Sequence, residues 1–248
     1  MNSMDNSDIK DRIIYQSDDC IVVNKLIGEA VEGASAGMVN LQKKLTFFLS
    51  ENIEQTTKAK AQTDKVLIEA VNRLDVPVTG CALFALAKPS LVFFNNAFAG
   101  RNNLSVEKRY WAIIERPKKQ LPQSAELVHW IETNSRINKS FAYNVEASAR
   151  KKAALRYRLM GEGENYLFLE IELLSGRHHQ IRAQLAACGL HIKGDLKYGA
   201  KRSEKNGGIR LHASFLSFPN PLNTEEKISV TAKPPQMDNL WEAFDITV

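Results

Sequence analysis

The sequence predicts an α+β protein organised around a sheet. Three observations carry this. Short apolar and β-branched runs bounded by turn residues recur along the chain. Helical spacing is confined to a few segments. The two kinds of segment do not alternate regularly, as a doubly wound fold would require. The 248 residues are 44% apolar and 25% charged, ordinary for a globular protein able to bury a core without staples.

The elements follow in order. The opening MNSMDNSDIKDR has no apolar leader core, and residues 1–17 are expected to form a tail. Residues 20–25 (CIVVNK) read as a strand bounded by acids and Gly28. Leu41, Leu45, Phe48 and Leu49 have helical spacing within 40–49, and the polar stretch 50–65 is expected to be an exposed loop. A second apolar run, 81–87, follows the turn residues Pro77 and Gly80. Pro89 suits the first turn of a helix through residue 97, because its missing N–H is harmless there. Residues 106–115 mix aromatic, β-branched and charged side chains and read as a strand. A basic, proline-containing loop covers 116–124. Strands at 155–159 and 166–174 are joined by a turn of glycine, acid and Asn165. Residues 177–188 read as a helix closed by Gly189 at C′. A charged loop at 195–208, strands at 209–218 and 226–231, and a helix over 235–244 complete the chain.

Charge is unevenly spread. Residues 1–100 hold 10 basic and 12 acidic side chains, and residues 101–248 hold 23 and 16. The excess sits in three clusters: Lys108 to Lys119, Arg150 to Arg158, and Lys193 to Arg210. Such clusters can neutralise phosphates, or they can be solvated faces that matter only if folding gathers them. Cys20, Cys81 and Cys188 are too few and too scattered for a disulfide framework or zinc module, so a reducing cytoplasm is expected. No apolar run approaches a membrane span. Walker, GxGxxG, GxSxG and HExxH motifs are absent, which removes most nucleotide-driven and serine-hydrolase chemistry.

Four segments carry candidate chemistry. NRLDVPVTG places Asp75 between an apolar stretch and a Pro/Gly turn, where desolvation or an arginine partner sets its pKa, or where it merely caps a turn. In EKRYWA, a strand would put Lys108 and Tyr110 on one face and Arg109 and Trp111 on the other. SGRHHQIR puts Arg182 one helical turn from His178, and a guanidinium at the rim of a core needs a carboxylate, for which Asp75 is a candidate. A metal-dependent hydrolase using His178, His179 and His191 is a rival. Against it, adjacent helical residues point about 100° apart and the neighbours are cationic. IRLHASFLSF closes the set with a strand-like run around His212.

Together these segments resemble the RluA-type family of RNA pseudouridine synthases. NRLDVPVTG is similar to the family's HRLD core, KRYWA to its Lys-x-Tyr segment, GRHHQIRAQLAACGLHIKGDLKYG to its GR-x-HQIR through GD-x-x-YG segment, and LHASFLSF to its closing LHA segment. The opening DDCIVVNKLIGEAV resembles the usual first strand. The matches keep the family's order over about 18–220. Asn72, Leu26 and Gln184 stand where the family commonly has His, Pro and His.

The resemblance implies a catalytic domain over 18–248, with a central mixed, largely antiparallel sheet, flanking helices and an active-site cleft. The family's frequent S4 RNA-binding domain is not expected before the first strand. It implies isomerisation of uridine to pseudouridine in ribosomal or transfer RNA, without cofactor or metal. Asp75 is then the catalytic carboxylate, Arg182 its partner, and Tyr110 the residue that stacks on the base and shuttles a proton. Ile181 packs on the base, and Arg73 fills the stack left by a flipped nucleotide. Arg177, His179, Lys151 and Lys152 are expected to bind RNA. A cytoplasmic monomer with RNA as partner and no membrane association is expected. A second rival is an RNA-binding or RNA-assembly protein on the same fold that has lost catalysis.

Overall fold

The computed structural model describes residues 7–33, 40–56 and 67–243. In chain order the elements are α1 (Ser7–Lys10), β1 (Ile13–Gln16), β2 (Cys20–Lys25), α2 (Leu41–Thr56), β3 (Glu69–Ala70), β4 (Thr79–Ala85), α3 (Lys88–Phe98), β5 (Glu107–Glu115), β6 (Ser124–Asn134), β7 (Lys139–Tyr143), β8 (Lys151–Glu162), β9 (Tyr166–Leu173), α4 (Gln180–Ala187), a 3-10 turn (Leu196–Tyr198), β10 (Leu211–Asn220), β11 (Asn223–Thr231) and α5 (Asn239–Glu242). The chain divides into two compact units, 1–106 with 216–232, and 107–215 with 233–248.

In the first unit the strand order is β1-β2-β4-β10, with β3 on β4 and β11 on β10. The expected tail is partly built into this sheet: β1 pairs antiparallel with β2, and Tyr15 packs edge-on against Phe218. The apolar run 20–25 forms β2 because both of its faces are covered. Cys20 and Val22 of β2, and Cys81, Leu83 and Ala85 of β4, lie two apart along their strands and so share one face. Phe94 of α3 and Phe218 of β10 close over them, with ring centroids 5.6 Å apart at 88°. In α3, Ser90, Phe94 and Ala97 are buried at i, i+4 and i+7, the spacing of one helix face. α2 begins where the spacing of Leu41 and Leu45 requires, but runs through residue 56. The expected loop is therefore helical over 50–56, and 57–65 lie outside the described residues.

In the second unit the order is β10-β5-β9-β8-β6-β7. The β5–β9, β9–β8, β8–β6 and β6–β7 ladders are all antiparallel. Trp111, Ile113, Phe168 and Trp241 form a core on one face. The expected turn at 161–165 starts later, because Gly161 sits within β8 at a register shift that bends the strand. β6 and β7 have no strong sequence signal. Only His129 and Ile131 of β6 are buried, so its alternation is faint.

α4 packs against β7 and β6 and spans Gln180–Ala187 rather than 177–188. It ends as expected. Gly189 is left-handed at φ 73, its N–H donates to Ala186 O at 2.9 Å, and Leu190 N–H donates to Leu185 O at 2.9 Å, a Schellman closure. The last helix is one turn, Asn239–Glu242, rather than 235–244, and residue 244 lies outside the described residues. Its start is set by Asp238, whose side chain accepts from the N–H groups of Leu240 and Trp241.

Candidate active site

In the first unit, Asp75 sits on the loop between β3 and β4, and the loop is fastened at both ends. Upstream, Asn72 Nδ2 donates to Cys81 O at 3.1 Å, and its Oδ1 accepts from Leu83 N–H at 2.7 Å. The amide thus extends the β4 ladder sideways, using the donor and acceptor that one side chain carries. Downstream, Lys25 is 0% exposed, and its Nζ donates to Val78 O at 2.6 Å, Leu26 O at 2.9 Å and Val76 O at 3.1 Å. Val78 N–H also closes a tight turn onto Asp75 O at 3.0 Å. Burial pushes the Lys25 amine down to about 8, with the charges of Glu29 and Asp75 working the other way and Arg12 adding to the drop. Glu29 is in turn gripped by Arg12, by Lys44 at 2.7 Å and by Leu26 N–H at 3.1 Å. Burial works to raise its pKa, but these donors hold it below the usual value.

Arg73, two residues before Asp75, projects with its side chain 75% exposed and a long 3.9 Å pairing to Glu32. A guanidinium presented this way is free to stack or to pair with phosphate.

In the second unit, Tyr110 lies on β5 opposite Ile171 and is nearly buried. The strand alternation holds: Trp111 joins the core on the other face, and Arg109 lies over the Phe215 ring at 4.6 Å. Lys108 approaches the glycine of the GRHHQIR segment, since a Cβ built on Gly176 would lie 3.9 Å from Lys108 Nζ. Burial holds the Lys108 amine below the usual lysine value.

The segment before α4 is a turn, not helix. Gln180 holds it: its Oε1 accepts from Ser175 Oγ at 2.8 Å and Arg177 N–H at 3.0 Å, and its Nε2 donates to Ala154 O at 3.0 Å. His179 is left-handed at φ 52, a conformation rare outside glycine. The expectation that His178 and His179 diverge as helical neighbours is therefore corrected: their rings stack at 3.8 Å and 21°. Both are engaged. Ser140 Oγ is 2.8 Å from His178 Nδ1, and Tyr198 Oη is 3.0 Å from His179 Nδ1. Tyr198 Oη also accepts from Ser140 N–H and donates to Ser140 O. Among the described residues, no group of three His, Cys, Asp or Glu is arranged to hold a metal ion.

Arg182 is buried on α4 beside Ile181. Within this unit its carboxylate partner is Asp195, met by Nε at 2.7 Å and by Nη2 at 2.8 Å, with the Tyr198 ring 4.9 Å from the guanidinium carbon. Gly194 makes room for the backbone there. It has φ 91, and a Cβ on it would strike Gly208 O at 2.9 Å.

The basic residues separate into two groups. Arg156 is opposed by Glu126 at 2.9 Å and Glu172 at 3.5 Å, Arg158 by Glu170 at 3.0 Å, and Arg150 by Glu132 at 3.3 Å. The antiparallel register puts Glu126, Arg156 and Glu172 directly abreast. These arginines are internally neutralised. Lys151 and Lys152 stay exposed, and Arg177 joins them through an Nε hydrogen bond to Lys152 O at 3.3 Å.

The model of the RNA pseudouridylate synthase family matches residues 19–187. The chain belongs to that family. Ribosomal large subunit pseudouridine synthase D of Zymomonas mobilis is 24% identical over 249 aligned residues, covering 97% of this chain and 74% of that protein. The tRNA pseudouridine synthase C of Haemophilus ducreyi is 25% identical, covering 93% of this chain and 92% of its own length. The solved structure of human RNA Pseudouridylate Synthase Domain Containing 4 aligns with a TM-score of 0.72 at 19% identity, covering 96% of this chain and 93% of that chain, which shows a shared fold. The pseudouridylate synthase family is an isomerase family acting on RNA, and the α+β architecture expected from the sequence is the family's fold.

Sequence reasoning missed Lys25, Asn72 and Asp195 as contributors. Lys25 and Asp195 were visible only as letters of the VNKL and KGDLKYG segments, and Asn72 only as a departure from His. No helix among the described residues is long and apolar enough to cross a membrane.

Proposed function

We propose that this chain converts uridine to pseudouridine in ribosomal or transfer RNA, with Asp75 as the catalytic carboxylate. The observation that carries this is the family match over 19–187, a stretch that contains Asp75, Tyr110 and Arg182 in the family's motifs. The relatives' names are those of enzymes acting on ribosomal and transfer RNA, which disfavours the non-catalytic binder.

The reaction breaks the N1–C1′ bond, turns the base and joins C5 to C1′, and the C5 hydrogen leaves to solvent. Nothing is oxidised or reduced, so no cofactor is called for. Asp75 serves as nucleophile or base, and the pinned loop holds its carboxylate while the reaction proceeds. Arg182 is assigned to orient Asp75, Tyr110 to stack on the uracil and move a proton, and Ile181 to pack on the base. The uridine must leave its stack, and exposed Arg73 is assigned to fill the gap. Arg177, His179, Lys151 and Lys152 hold RNA. A monomer working in the cytoplasm belongs to the same proposal.

The test is tritium release from C5-labelled uracil in RNA from cells lacking this gene. Release by the wild type and none by Asp75→Asn is expected. Binding of that RNA without release by the wild type would overturn the reading.

A further inference from the structure

We infer that the second unit carries a separate docking surface for RNA backbone at the C-terminal end of β5, formed by loops 116–121 and 199–206. It rests on the proposed action on RNA and specifies a feature of the substrate. The two loops are distant in sequence, yet the fold ties them to the same strand end. Lys201 N–H donates to Glu115 Oε1 at 2.8 Å, Glu115 N–H donates to His191 O at 2.8 Å, and Arg116 N–H donates to Asn165 O at 2.9 Å.

The charge balance there differs from that of β8. Three acids nearby are occupied: Glu162 by Arg116 at 2.9 Å, Glu204 by Lys193 and by Arg210 at 3.2 Å, and Asp238 by Arg210 at 2.9 Å. Lys118, Lys119, Lys201, Arg202 and Lys205 are exposed, and none has an acid partner among the described residues. On β8, by contrast, strand register supplies an acid abreast of each arginine. Unneutralised lysines and arginines gathered from distant segments are what a polyanion requires. The first loop also frames an open concavity of about 380 Å³ lined by Arg116, Pro117, Lys118, Lys119 and Glu162.

The occupant is a base-paired segment rather than unpaired bases. Neither loop contains an aromatic residue on which a base could stack, and four of the five exposed cations without an acid partner are lysines, which have no plane to stack, so the surface favours phosphates over bases. Arg116 follows Tyr110 by six residue steps along and just past β5, roughly 20 Å at a strand rise of ~3.3 Å per residue. A base-paired RNA helix is A-form, and several of its base pairs fit along that distance. The substrate is thereby specified as a structured RNA whose helix continues several base pairs from the target uridine.

The experiment compares wild type, Lys119→Glu/Lys201→Glu, which takes one cation from each loop, and a control with the same charge change on exposed first-unit lysines, Lys43→Glu/Lys88→Glu. Binding to a 20-base-pair RNA duplex is followed by fluorescence anisotropy across a salt series. Tritium release from total RNA is measured alongside. For the loop variant, the expected results are a slope of log affinity on log salt shallower by about two, at least tenfold weaker duplex binding at 0.1 M salt, and a raised KM for release with kcat retained. The control keeps wild-type values. An unchanged slope, or an equal loss in the control, overturns the docking surface. Wild-type duplex binding that depends on these lysines but releases no tritium leaves the surface standing and overturns the synthase reading. Release with an unchanged slope does the reverse.

Discussion

Arg182 and Asp195 form a buried two-point ion pair, Nε to Oδ2 at 2.7 Å and Nη2 to Oδ1 at 2.8 Å. The fork of the guanidinium matches the carboxylate, so the pair sets orientation as well as charge. Removing Asp195 takes from Arg182 its two-point carboxylate in a dry site. Asp195→Ala is expected to destabilise the fold by about 3–5 kcal/mol, read from urea denaturation. The double variant Arg182→Met/Asp195→Leu is expected to recover much of that loss, because neither charge is left behind. Equal instability of the two variants would refute this account of the pair.

Lys25 makes stability depend on alkaline pH. Its folded value, about 8, lies below the ordinary lysine value of 10.5, so the unfolded chain binds more protons between the two. Stability therefore rises with pH across that window, by an amount on the order of 3 kcal/mol at full titration. Lys25→Met is expected to lose that rise. Unfolding curves of both proteins at pH 7.5, 9 and 10 check it, and parallel pH profiles would count against a depressed Lys25.

Asn72 bridges the Asp75 loop to β4 through both ends of its amide. Asn72→Ala is expected to cost about 1–3 kcal/mol, since Leu83 N–H and Cys81 O lose a partner. Tritium release should slow as the loop loosens. Wild-type stability with wild-type turnover would show that the bridge does neither job.

Arg73 should matter in proportion to the stacking it replaces. Arg73→Ala is expected to reduce turnover on folded RNA several-fold more than on an unstructured oligonucleotide carrying the same uridine. Equal losses would remove it from base flipping.

Lys151 and Lys152 are exposed, whereas Arg156 and Arg158 are matched by acids on neighbouring strands. Lys151→Ala/Lys152→Ala should weaken RNA binding and flatten its salt slope by about two. Arg156→Ala should leave the slope nearly unchanged, because Glu126 and Glu172 already neutralise it. A comparable flattening by both would mean that the cross-strand pairs open when RNA binds.

The sequence by itself determined much of this protein. Cys20–Lys25, the helix opening at Pro89, the strand ending at Glu115 and the glycine stop of α4 were all legible, because their signals lie within a few consecutive residues. The order of the four motif segments identified the family for the same reason. Tertiary structure alone decided the rest. It chose Asp195 as a partner for Arg182 across thirteen residues, and it laid Glu126 and Glu172 on either side of Arg156. It placed Lys25 beneath a loop fifty residues away and stacked His178 on His179 by turning a backbone left-handed. Spacing along a chain reports the local conformation of each segment. Which side chains meet between segments depends on strand register and loop closure, and these emerge only when the whole core packs.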